Sequence, residues 1–136
     1  MVEVHVYVDV DDLERGIDFY TRGLGLRLGR RLDANWVELT GAAVPVHILA
    51  KPPGSPAGAG PGPSRDYRRH WTPVHLDFLT TRLEGAVARA EAAGAVLERE
   101  IQVHAWGRMA NMVDPFGNGF DLIELRGRGY DEIEFP

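Results

Sequence analysis

The chain has five histidines and no cysteine, so thiolate nucleophiles and thiolate metal sites are excluded and nitrogen and oxygen ligands remain. An imidazole titrates near neutrality, moves protons and binds metal ions through either ring nitrogen. Two of the histidines, in Val4-His5 and Val74-His75, stand 70 positions apart. At the same offset Leu13-Glu14 falls on Leu83-Glu84, Ile17 on Val87 and Leu26 on Val96, which marks an internal repeat. His47 and Asp121 stand in the last apolar run of each half, VPVHILA and GFDLIEL. His70 and His104 have no repeat partner and fall in segments that read as loops, so they are expected at the surface.

The elements that must hold these residues repeat as well. VEVHVYV alternates valines with Glu3, His5, Tyr7 and Asp9, the period of a half-buried strand. Asp11 with Glu14 makes a capping-box-like start, Leu13, Ile17 and Tyr20 form one helical stripe, and Gly23 or Gly25 stops the helix. Strands are expected next at LRLGRRL, NWVELT and VPVHILA, giving β-α-β-β-β. In the second half PVHLDFL is the strand, Thr81 with Glu84 starts a helix carrying Leu83, Val87 and Ala90, and Gly94 ends it. AVLEREI, GRMANMV and GFDLIEL are the strands that follow, the last two joined by the turn residues Asp114-Pro115-Phe116-Gly117. His5, His47, His75 and Asp121 are each expected mid-strand, on the face opposite the flanking aliphatic residues. Glu124 is the competing carboxylate, but a regular strand sets it with Phe120 and Leu122 on the outer face, unless a bulge follows Asn118-Gly119. Trp36, Trp71 and Trp106 read either as pocket walls or as buried packing.

Residues 51 to 64, KPPGSPAGAGPGPS, favour neither helix nor ladder and mark a linker. The expected organisation is one domain over 1–136, with a first module over about 1–51, a linker over 52–71, a second module over about 72–126 and a tail over 127–136. A chain of 136 residues with 44% hydrophobic content can build its core without disulfides. The opening MVEVHVYVDVDD is acidic and alternating, and no apolar run reaches the roughly 18 residues a membrane helix needs, so a soluble cytoplasmic protein with no membrane partner is expected. Fifteen basic and twenty acidic residues give a net charge of −5, and basic residues form only short clusters such as RDYRRH and no extended stripe, so the expected partner is a small molecule rather than nucleic acid.

The two β-α-β-β-β units, with HVYVDVDDLERGIDFYTRGLGL at the start and DPFGNGFDLIEL at the end, resemble the vicinal oxygen chelate superfamily, which contains glyoxalase I, bleomycin-resistance proteins and extradiol dioxygenases. The resemblance covers residues 2 to about 126. It implies an α+β fold in which two βαβββ modules form a cup-shaped, partly open mixed β-barrel. It also implies a homodimer, with modules paired within one chain or swapped between two. In metal-dependent members the ligands stand on the first and fourth strands of each module. That implies His5, His47, His75 and Asp121 as ligands of one divalent transition metal, whether iron, nickel, cobalt, zinc or manganese.

Four protein ligands leave two adjacent positions of an octahedral ion for a substrate with oxygens on neighbouring carbons, which the ion polarises. The activity implied is lyase, isomerase or epimerase chemistry through an enediolate, with Asp121, or an acid such as Asp77 or Glu38, moving the proton. The chain departs from lactoylglutathione lyases, which usually carry glutamate where it has His47 and where it has Asp121. Three imidazoles and one carboxylate leave a divalent site at about +1 and favour later transition metals over magnesium. His5, His75 and Asp121 alone also match the facial triad of extradiol dioxygenases, with His47 beside them as an acid or base. A third reading is a metal-free antibiotic-binding protein like the bleomycin-resistance members, whose acidic and aromatic residues hold a cationic drug.

Overall fold

In the computed structural model, which describes residues 1–136, the N-terminal alternating run forms β1 (Val6–Val10). The strand starts four residues later than the pattern implies, leaving His5 just outside it. The reason lies in its partner: Val6 pairs with Val46 and bonds to the Pro45 carbonyl at 3.0 Å, and proline has no N–H to extend the ladder. Asp12, not Asp11, caps α1 (Leu13–Asp18), its carboxylate accepting from Arg15 N at 3.1 Å. A π-helical turn (Phe19–Gly23) continues the helix, and Gly25, at φ 79°, reverses the chain. Then come β2 (Arg27–Asp33), β3 (Trp36–Thr40) and β4 (Val46–Ala50). The sheet order is β1-β4-β3-β2, with β1 parallel to β4 and the other pairs antiparallel.

Helix α1 packs on β4, and Val10, Ile17, Phe19, Tyr20, Val37, Leu39 and Ile48 are buried. Gly16 permits that approach, since a Cβ there would stand 2.8 Å from Ile48 Cγ2. The proline- and glycine-rich segment is tied to this unit, which spans Met1–Arg68. Pro56 bridges to Ser64, Arg65 Nε lies 2.8 Å from Asp9 Oδ2, and the Tyr67 hydroxyl reaches the Val10 and Lys51 carbonyls at 2.9 and 2.6 Å.

A second unit, Arg69–Pro136, repeats the plan with β5 (Leu76–Leu79), α2 (Leu83–Ala92), β6 (Val96–Leu97), β7 (Gln102–His104), β8 (Gly107–Val113) and β9 (Gly119–Leu125). Its order is β5-β9-β8-β6, with β7 also on β8 and β5 parallel to β9. Both sheets are mixed and neither closes into a barrel. His75 again stands one residue before its strand, because Gly119 N–H is taken by the His70 carbonyl at 3.0 Å. The run AVLEREI does not form one strand: it breaks after Leu97, and β7 begins only at Gln102. His104 therefore ends a strand instead of lying in a loop, with its ring stacked on Trp106 at 4.8 Å. No helix is long and apolar enough to cross a membrane.

Glu124 is buried rather than outward, and it takes over the capping expected of Thr81. Helix α2 has no side-chain cap of its own; Leu83 N donates instead to Glu124 Oε2 at 3.0 Å. Oε1 accepts from Arg108 Nη2 at 3.0 Å and from Arg126 Nε at 2.9 Å. The Leu83 bond, followed by the two arginines, holds the Glu124 carboxyl below the usual carboxylate range. Such a group stabilises the fold above its unfolded-state pKa, and that stability is lost as pH falls through the depressed folded value. Glu124→Gln should therefore melt below the wild type at pH 7, and thermal scans should show the gap narrowing below about pH 4. A gap that stays constant with pH contradicts the capping role.

Candidate functional site

Each parallel strand pair brings a histidine of the first strand's entry beside a residue of the last strand. In the first unit the register aligns Tyr7 with His47 and His47 with Glu38, a row across β1, β4 and β3. His47 is 2% exposed. Trp36 Nε1 donates to His47 Nδ1 at 2.8 Å, His47 Nε2 lies 2.9 Å from His5 Nδ1, and His5 Nε2 lies 2.8 Å from Glu3 Oε1. Tyr7 stacks on His47 at 4.3 Å and 7°. Arg30 holds Glu38 with two bonds of 2.9 Å, which leaves Glu38 Oε2 3.8 Å from His47 Nε2. Burial pushes the His47 imidazole below its ordinary range, while the Arg30 bond lowers the Glu38 carboxyl.

In the second unit the corresponding row is Asp77, Asp121 and Asn111 across β5, β9 and β8. His75 Nε2 stands 3.4 Å from Asp77 Oδ1 and 3.4 Å from Asp121 Oδ2. Asp121 is buried, and Asn111 Nδ2 donates to its Oδ1 at 2.5 Å. The amide orientation follows from its other partners: Asn111 Oδ1 accepts from Arg99 Nε and Gln102 Nε2, each at 2.7 Å. Burial, then the adjoining Asp121 carboxylate, pushes the Asp77 carboxyl up. The cluster opens on a cavity of about 500 Å³ lined by Arg69, Trp71, His75, Glu98, Arg99, Asn111 and Asp121. Arg69 is paired with Glu98 in this wall, through Nε at 2.9 Å.

His5, Glu38 and His47 form one group of possible metal donors, and His75, Asp77 and Asp121 another. The second fits a cation. Two ligand atoms about 2.0–2.1 Å from an ion at a tetrahedral angle stand roughly 3.3–3.4 Å apart, which is the spacing of His75 Nε2 from each carboxylate oxygen. The first group fits less well, because partners outside it already occupy it: Arg30 holds both oxygens of Glu38, Trp36 donates to His47 and Glu3 pairs with His5. The structure thus sets His5 beside His47 and His75 beside Asp121, and adds Glu38 and Asp77 to them. Asp77 was visible in the alternation of PVHLDFL, two residues after His75. Asn111 and Arg99 had no such signal, since only the β8–β9 register and the break in AVLEREI bring them to Asp121. Neither His70 nor His104 belongs to either group.

A family model described as glyoxalase-like domain matches residues 5–123. No curated protein sequence matches the chain. Among solved structures, a member of the glyoxalase/bleomycin resistance protein/dioxygenase superfamily from Sphaerobacter thermophilus is 22% identical, with TM-score 0.64 over 91% of this chain and 97% of that one. The antibiotic-binding protein TnmS3 from Streptomyces sp. CB03234 is 23% identical, with TM-score 0.64 over 93% and 97%. The fosfomycin resistance protein FosX from Listeria monocytogenes is 17% identical, with TM-score 0.69 over 94% and 96%. At these identities the likeness is one of fold.

Trp71 ties the cavity wall to the start of β9. Its ring meets His75 edge-on at 5.4 Å and lies over Gly119, where a Cβ would come within 2.5 Å of the indole. Gly119→Ala should displace the ring at a cost of about 1–3 kcal/mol from overpacking. Tryptophan emission, with Trp71 assigned by a Trp71→Phe variant, should shift toward the solvated range. Unchanged stability and emission contradict this packing.

Proposed function

The chain belongs to the glyoxalase-like domain family, within the vicinal oxygen chelate superfamily, and from that premise we propose that it is a metal-dependent enzyme for a small molecule with vicinal oxygens. The observation that carries this reading is the equal 3.4 Å spacing of His75 Nε2 from Asp77 and Asp121 beside a cavity of about 500 Å³. His75, Asp77 and Asp121 would hold the ion. One imidazole and two carboxylates neutralise a divalent charge, and the oxygen-rich set shifts preference toward manganese, iron or zinc. Bound there, the ion supplies Lewis-acid polarisation of the substrate's two oxygens.

The residues around it divide the remaining work. Asn111 anchors Asp121 through Oδ1 and leaves Oδ2 toward His75, so Asp121 is read as the fixed anionic ligand. No side-chain amide anchors Asp77 in that way. The less firmly held Asp77 carboxylate is read as the general base that takes a proton from the carbon next to the substrate's carbonyl, in lyase, isomerase or epimerase chemistry. Trp71 and the Arg69–Glu98 pair wall the cavity. The experiment is metal analysis of protein purified without chelator and reloaded with manganese, iron or zinc, followed by turnover of 2-oxoaldehyde–thiol adducts, 2-methyl-3-oxoacyl thioesters and catechols. About one ion per chain is expected. His75→Ala and Asp121→Asn should lower its affinity by more than the roughly 10–100-fold that loss of an outer partner costs. Asp77→Asn should lower the affinity less than Asp121→Asn does, while turnover falls about 10²–10⁴-fold. Metal-free protein that turns over none of these compounds but binds a drug-like cation points to the antibiotic-binding reading instead.

A further inference from the structure

The 2.9 Å between His5 Nδ1 and His47 Nε2 suits two arrangements. It is a normal hydrogen bond, and it is also about the separation of neighbouring ligands around an octahedral ion with bonds near 2.1 Å. Trp36 decides between them. An indole Nε1 carries a hydrogen and no available lone pair, so its 2.8 Å contact with His47 Nδ1 is a donation by the indole. That leaves His47 Nδ1 bare of hydrogen, which excludes the imidazolium and fixes the neutral ring's proton on Nε2. The proton points at His5 Nδ1; His5, accepting there, carries its own proton on Nε2 and donates to Glu3.

The four groups therefore form a one-way chain, Trp36 to His47 to His5 to Glu3. A metal at His47 Nε2 needs the opposite tautomer, with Nδ1–H donating to an acceptor, which is how metal-bound histidines are ordinarily held. The indole accepts nothing. Two further features agree. Arg30 occupies both oxygens of Glu38, and the residue aligned with His47 is Tyr7, whose ring stacks on it, where the second unit aligns Asp77 with Asp121. We infer that His47 is a fixed Nε2–H donor excluded from the metal's ligand set, and that the His5–His47 pair is a hydrogen-bonded relay rather than half of a metal site. The inference rests on the proposed function only in where it sends the ion.

Nitrogen NMR of uniformly ¹⁵N-labelled protein tests it, with His47 assigned by a His47→Gln variant. In the metal-free protein His47 Nδ1 should appear as a bare, pyridine-type nitrogen and Nε2 as a protonated, pyrrole-type one. On adding one equivalent of Zn²⁺ these two signals should stay in place while those of His75 move. A proton on His47 Nδ1, or a Zn²⁺-induced shift of His47 Nε2, overturns the inference. Trp36→Phe removes the donor and should let both tautomers appear; an unchanged His47 spectrum in that variant also overturns it. If Zn²⁺ moves no histidine signal at all, the proposed function fails, whereas the tautomer is still decided by the metal-free spectrum.

Discussion

Parallel pairing of the first strand with the last, β1 on β4 and β5 on β9, is the constraint from which the rest of each unit follows. It demands a crossover connection, which α1 and α2 supply, and the helix covers one face of the sheet with apolar contacts. On the other face it aligns residues from three strands into a short polar row: Tyr7, His47 and Glu38 in one unit, Asp77, Asp121 and Asn111 in the other. Each histidine at the strand entry, His5 or His75, then lies over that row. A one-residue slip would turn the row onto the helix-covered face, so burial of Val46 and Ile48, or of Phe120 and Leu122, enforces the register that builds the cluster.

The same scaffold gives the two rows opposite polarity, and in each case a side chain that can only donate sets it. Trp36 occupies the His47 acceptor and turns an N–H toward His5. Arg99 occupies the Asn111 oxygen, so the amide must donate to Asp121, and lone pairs of Asp121 and Asp77 face His75. An inward N–H repels a cation; inward carboxylate oxygens attract one. The internal repeat therefore fixes where side chains converge but not what they bind, and the ligand preference depends on partners at the ends of each hydrogen-bond chain.

Much of the fold was legible in the sequence because its periods are strong: the alternation of VEVHVYV, the 70-residue offset between Val4-His5 and Val74-His75, and the turn at Asp114-Pro115-Phe116-Gly117. What stayed hidden depends on contacts between distant residues. Pro45 shortens β1 from the partner strand, so His5 sits outside the ladder. Glu124 reads as outward from its alternation with Asp121, yet it caps α2 across 41 residues and is buried. The pairs His5 with His47 and His75 with Asp121 could be drawn together from repeat positions and family resemblance. The orientation of their protons and lone pairs could not, because Trp36, Asn111 and Arg99 reach them only through register.

The central claim is that a metal ion belongs with the carboxylate row and not with the histidine pair. Anomalous diffraction from crystals grown with Mn²⁺ or Co²⁺ tests this most directly. The account predicts one peak within about 2.0–2.2 Å of His75 Nε2 and of an Asp121 oxygen, with none bonded to His47. A peak bonded to His47 Nε2, whatever its other ligands, contradicts it.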